Sequence, residues 1–153
     1  MDEAKLQFLR TGTIPLLKNL GADAKGKWGK MNGQQMVEHL SAFFKVSVNK
    51  IYFPLVTPVE HLPKYKEFLL SDKEFRENTK ASILPEEPFP VRNANMQGAI
   101  TELESSIDDF FNHYADDPNK KELHAVFGEL NFEEWVQLHH KHVTHHFKQF
   151  GLL

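Results

Sequence analysis

The sequence predicts an all-α protein, a four-helix bundle with one long crossover between helices 2 and 3, in a single domain over residues 1–153. Three observations carry this. Apolar residues recur three and four apart in four separate stretches, no period-two alternation runs long enough for a sheet, and a proline-rich segment of roughly forty residues separates the second stretch from the third. A chain of this length suits one domain and buries about two-thirds of the surface its unfolded form exposes.

The first helix places Leu6, Leu9, Leu16, Leu17 and Leu20 on one face, with a kink or interruption expected at Thr11-Gly12-Thr13 and Pro15. Residues 21–29 read as a connecting loop. The second helix opens on a capping box, Asn32 with Gln35 three residues on. It turns Met36, Leu40, Phe43, Phe44 and Ile51 inward and is expected to stop before Pro54. The crossover then holds Pro54, Pro58, Pro63, Pro85, Pro88 and Pro90, long enough to let helices 2 and 3 run parallel, and Ser71 with Glu74 predicts a short helix over 71–80. The third helix spans about 95–114, with Met96, Ile100, Leu103, Ile107, Phe110 and Tyr114 as its seam, and Asp116-Asp117-Pro118-Asn119 ends it. A second capping box, Asn131 with Glu134, starts a fourth helix that runs to about Phe150, before Gly151.

Net charge −3 lacks the basic excess that phosphate backbones or anionic membranes favour, so nucleic acid is not an expected partner. The N-terminus has no basic and apolar signal regions, and no apolar run approaches the ~20 residues that cross a bilayer, which predicts no membrane association and a cytoplasmic location. The chain has no cysteine, which excludes disulfides and thiolate metal sites.

Five of the nine histidines fall in the eight residues from His139 to His146. Imidazole is the commonest protein ligand for transition metals, so this density suggests a metal site. A helical wheel anchored on Phe132, Trp135, Val136, Val143, Phe147 and Phe150 places His139 and His146 inside the apolar sector and His142 on its flank. It puts His140 on the opposite flank and turns His145 outward. His142 and His146, four apart, share one ridge and can reach a single ion. Two histidines at that spacing are in most proteins merely solvated or hydrogen-bonded, so the pair gains meaning only from a third ligand. His39, on the flank of helix 2 beside Met36 and Phe43, is that candidate if helices 2 and 4 face each other. Three imidazoles would leave a position open for water or an exogenous ligand. His61, His113 and His124 read as surface or loop residues, and Lys141 and Lys148 as solvent-facing charges. Gln149, one turn beyond His146, is a candidate to orient a ligand imidazole or a bound water. Trp135 is a candidate pocket wall, and the inward His139 an alternate ligand.

Rival chemistries lack their residues. No Glu is followed by His three positions on, as a di-iron bundle requires, and His-Glu-x-x-His, Gly-x-x-x-x-Gly-Lys and Gly-x-Ser-x-Gly are all missing.

The run Trp28-Gly29-Lys30-Met31-Asn32-Gly33-Gln34-Gln35-Met36-Val37-Glu38-His39-Leu40 resembles the DinB-like, YfiT-like superfamily of bacterial four-helix bundles. So do Phe127-Gly128-Glu129-Leu130 and His142-x-x-x-His146-x-x-Gln149-Phe150. Its uncharacterised subgroup with a Trp-Gly-Lys-Met motif is the nearest match, apart from Ala125 standing where a proline is expected. The resemblance implies a metal triad at His39, His142 and His146, a divalent ion such as zinc or nickel, and for some members chemistry dependent on a low-molecular-weight thiol: bacillithiol S-transferases and mycothiol-dependent maleylpyruvate isomerase. The expected activity is therefore metal-dependent thiol transfer to a small-molecule substrate. The alternatives are a metal-dependent hydrolase, for which Glu38 is expected to point elsewhere than the triad, and a non-enzymatic bundle that forms a homodimer or binds a partner around a structural metal or none.

Overall fold

The computed structural model describes residues 1–79 and 81–153 and is mainly helical, with one small hairpin. Helix α1 (Glu3–Gln7) starts on Asp2, whose carboxylate accepts from the Lys5 amide at 3.1 Å. It passes through a π-helical turn (Phe8–Gly12) into α2 (Thr13–Leu16). The expected interruption is thus a local widening: Pro15 has no N–H to return to the preceding turn, and the Thr13 hydroxyl donates to the Phe8 carbonyl at 3.1 Å. Helix α3 (Gly33–Ser47) has both arms of the capping box, the Asn32 side chain accepting from the Gln35 amide and Gln35 accepting from the Asn32 amide.

Two boundaries differ from expectation. Helix α3 ends at Ser47, leaving Ile51 outside, because Asn49 takes a left-handed φ of 60° and the amides of Lys50 and Ile51 fold back on the Lys45 carbonyl. The helix expected over 71–80 is replaced by an earlier one, α4 (Leu62–Leu70), which follows a 3₁₀ turn (Val59–His61) and has Pro63 in its first turn. Ser71 is its C-cap, with the hydroxyl donating to the Phe68 carbonyl at 2.7 Å. The residue read as a start signal is therefore a stop, while Lys80, the end of that expected helix, lies outside the described residues.

Helix α5 (Met96–Tyr114) begins on Asn95. Strands β1 (Glu122–His124) and β2 (Gly128–Leu130) then pair antiparallel, Glu122 opposite Leu130, an element absent from the sequence reading because three-residue strands carry no periodicity. Helix α6 (Phe132–Gln149) has the second capping box intact.

Side-chain contacts give the helix directions. Along α3 and α5, Lys45 meets Glu102 and Ser47 meets Tyr114, so the two run parallel as the crossover allows. Between α3 and α6, His39 meets His146 while Phe44 stacks on His139, so these two run antiparallel and face each other. Leu9, Met36, Leu40, Phe44, Leu103, Phe110, Trp135 and Phe147 fill the core between these helices. The crossover is tied down as it passes: Glu38, buried in α3, accepts the amides of Arg92 at 2.7 Å and Asn93 at 3.0 Å. Among the described residues, no helix is long and apolar enough to cross a membrane.

Candidate metal centre

The antiparallel packing of α3 on α6 brings His39, His142 and His146 together. Each offers one ring nitrogen, and the three nitrogens lie within 4.8 Å of one another. His142 Nε2 is 2.9 Å from His39 Nε2 and 3.1 Å from His146 Nε2. Two imidazoles bound at ~2.1 Å to a tetrahedral ion hold their nitrogens about 3.4 Å apart, so the two pairs that share His142 reach that spacing by opening a few tenths of an ångström.

A hydrogen-bond chain sets the tautomer of His146. The Gln149 side-chain amide donates through Nε2 to the Trp28 carbonyl at 2.8 Å, so its Oε1 is the atom that faces His146 Nδ1 at 2.7 Å. His146 must carry its proton on Nδ1, leaving a lone pair on Nε2 aimed at the cluster. His142 Nε2 lies against the Nε2 atoms of both His39 and His146, and a single N–H there can satisfy only one of them well. A cation at the centre removes the remaining lone-pair conflict. Burial pushes the His39 imidazole down to about 4, helped by the nearby His145, and drives His142 and His146 well below the ordinary range. For His142 the neighbouring imidazoles add to this, whereas for His146 the Gln149 bond works against it. The three imidazoles are thus neutral at neutral pH. Phe43, with its ring centroid 5.1 Å from both His39 and His142, and Phe75, 6.5 Å from His142, wall the site with apolar surface.

The loop before α3 is shaped to hold Gln149. The Lys27 amide donates to the Gln149 carbonyl at 2.7 Å, a Cβ at Gly26 would sit 2.9 Å from Gln149 Cγ, and one at Gly29, whose φ is +78°, would sit 2.8 Å from Gln149 Nε2. Trp-Gly-Lys-Met therefore acts on the site through its backbone.

Of the other histidines, His139 and His61 sit where the wheel and the loop reading put them, and His145 and His124 do not. His139 is fully buried in an aromatic sandwich, stacked on Phe44 at 3.9 Å and on Trp135 at 5.3 Å. It stands outside the triad, as does Trp135, whose ring contacts are with His124 and His139. His145 does not point away into solvent: it is half-buried, 5.5 Å from the Trp28 ring and 5.8 Å from Phe75, because loop and crossover close over that side of α6. His124 is buried rather than on the surface. Its Nδ1 accepts the amides of Val126 and Phe127 to shape the hairpin turn, and burial pushes it down to about 4. His113 is half-buried against Glu122 at 2.6 Å, while His61 is exposed as expected. Lys141 is buried, not solvent-facing, with Nζ donating to the carbonyls of Ser71 and Lys73 and lying 4.6 Å from the Phe68 ring centroid. Lys148 is exposed and pairs with Glu74. Phe43, Phe75 and the Trp28 carbonyl were missed by sequence reasoning. Only the paired glycines of the loop signalled a close backbone approach.

Residues 6–151 match the family described as "Protein of unknown function (DUF1569)", a span that takes in the triad, Gln149 and the loop that holds it. The chain belongs to the DUF1569 family. No curated protein and no solved structure matches it. For this DUF1569 chain the site itself carries the functional argument: a three-histidine group able to hold a metal ion, fed by two facing helices.

Proposed function

We propose that this protein is a divalent-metal-binding protein whose three-histidine site serves a metal-dependent thiol transfer, on a DinB-like four-helix bundle with its crossover between α3 and α5. The observation that carries the reading is the convergence of three neutral imidazoles from facing helices, one of them held in its coordinating tautomer by Gln149. When bound, a zinc or nickel ion with three imidazole ligands and an open position lowers the pKa of an added thiol or water toward neutral.

The residues around the triad favour thiol over water. A thiol deprotonated in this way is already a nucleophile, whereas hydrolysis needs a positioned general base. Glu38, next to His39 in sequence, has both carboxylate oxygens committed to Arg92, Asn93 and Gln34. Although burial alone would raise its pKa, these donors keep it below the usual carboxylate range. Among the described residues, the group able to hold a metal contains no carboxylate. The apolar shell of Phe43 and Phe75 supports a site that excludes bulk water.

The test is elemental analysis of protein purified without a histidine tag, followed by thiol-transfer assays with bacillithiol or glutathione and an electrophilic acceptor. One equivalent of metal and chelator-sensitive turnover are expected. No turnover across thiols and metals, with metal retained and a large loss of melting temperature on chelation, would replace this reading with a structural ion in a non-enzymatic protein.

A further inference from the structure

Beside the triad lies a half-open cavity of about 300 Å³ whose walls are the Trp28, Phe75 and His145 rings. Only one layer of rings separates it from the ligand nitrogens: Phe75 faces both His142 and His145, and the His145 ring is 5.0 Å from that of His146. Trp28 belongs to both places, its ring lining the cavity and its carbonyl holding the Gln149 amide that orients His146.

The charges at the rim are unevenly used. Lys148 and Glu74 pair with each other. Lys27 and Glu77, which also line the cavity, have no side-chain hydrogen bond or ion pair among the described residues, Glu77 acting on the His145 ring only through its field. One unpaired ammonium and one unpaired carboxylate over an aromatic floor complement a ligand with one charge of each sign and an apolar arm.

We propose that this cavity is the substrate seat of the metal centre and takes a small zwitterion of the amino-acid type. Its carboxylate lies on Lys27, its ammonium lies on Glu77, and its apolar arm packs between Trp28 and Phe75. The role as substrate seat rests on the reading of the triad as a reactive centre. The binding itself does not, since none of the three ligands lines the cavity.

The experiment titrates S-benzylcysteine into zinc-loaded and chelator-stripped protein and follows the two indole N–H signals by NMR. The Trp28 signal is expected to shift with saturation in both forms while that of the buried Trp135 stays. 3-Phenylpropionate and 2-phenylethylamine, each with one charge only, should bind about tenfold more weakly or worse. Lys27→Glu, an exposed substitution that spares the fold, and Phe75→Ala should each weaken S-benzylcysteine about tenfold. The proposal is overturned if neither form saturates in the millimolar range, if the single-charge compounds bind equally well, or if Lys27→Glu leaves affinity unchanged. Zinc binding without probe binding removes the cavity alone. Probe binding without zinc binding removes the metal reading and leaves the cavity as a zwitterion site.

Discussion

Replacing Gln149 with leucine, a side chain of similar bulk, removes both arms of the amide bridge between His146 and the Trp28 carbonyl. The buried His146 Nδ1–H then loses its acceptor, and the ring can recover a partner by moving its proton to Nε2, where it would point into the triad and block coordination. Loss of such an orienting partner costs a metal site about 10- to 100-fold in affinity, ~1.4 to 2.8 kcal/mol. Since Gln149 is only 3% exposed, water cannot readily replace it, and the upper part of that range is expected. Gln149→Glu separates the two arms: it keeps an acceptor for His146 but sets a carboxylate against the Trp28 carbonyl, so affinity should hold within a few-fold while melting temperature falls. Competition against a chromophoric chelator near pH 7.5, with circular dichroism to verify folding, reads both variants. If folded Gln149→Leu binds metal within twofold of the parent protein, the tautomer argument fails.

Alanine at His39, His142 or His146 should lower metal affinity at least about 100-fold, whereas His145→Ala, outside the triad, should change it by less than about threefold in the same titration; equal losses at all four would contradict the triad. In metal-free protein, His39 and His124 are held near 4 by burial against ~6.5 when unfolded, so the unfolded state takes up protons first. The stability they contribute, on the order of 3 kcal/mol each, is present above pH 6.5 and lost as pH falls toward 4. Denaturant midpoints measured over that window should decline steeply, and His124→Phe should flatten part of the slope. Glu38→Gln should destabilise the fold by about 2 kcal/mol, because an amide cannot accept all the N–H groups the carboxylate now accepts, yet leave metal affinity unchanged; chemical denaturation paired with metal titration separates the two effects. Gly29→Ala, which forces a Cβ into the Gln149 amide at a left-handed φ, should weaken metal binding in the same direction as Gln149→Leu.

The long helices were legible in the sequence because their apolar periodicity and capping boxes are local signals, and Asn32–Gln35 and Asn131–Glu134 both form as written. The triad was legible for a related reason, since a four-residue spacing and one facing helix suffice to converge three rings. Part of what failed depended on chain segments distant in sequence. His145 and Lys141 read as solvent-facing because the wheel knows only its own helix, while loop residue Trp28 and crossover residues Ser71, Lys73 and Phe75 cover them. Ser71 misled because a hydroxyl caps either end of a helix, and only the Phe68 carbonyl decided which. Ile51 fell outside its helix through the backbone of one asparagine, a turn that apolar spacing cannot reveal.

A ligand set made only of ring nitrogens, in a chain without cysteine, also fixes how the centre meets oxidants. Peroxide climbs the sulfur ladder from thiolate to sulfonic acid, and disulfide exchange removes thiolates in pairs, but neither reaction has a target here. The protein's own ligands to an ion at this site are therefore untouched by thiol–disulfide exchange. Among sulfur-bearing side chains that leaves methionine, and Met36, fully buried on the helix that carries His39, is shielded from oxidants.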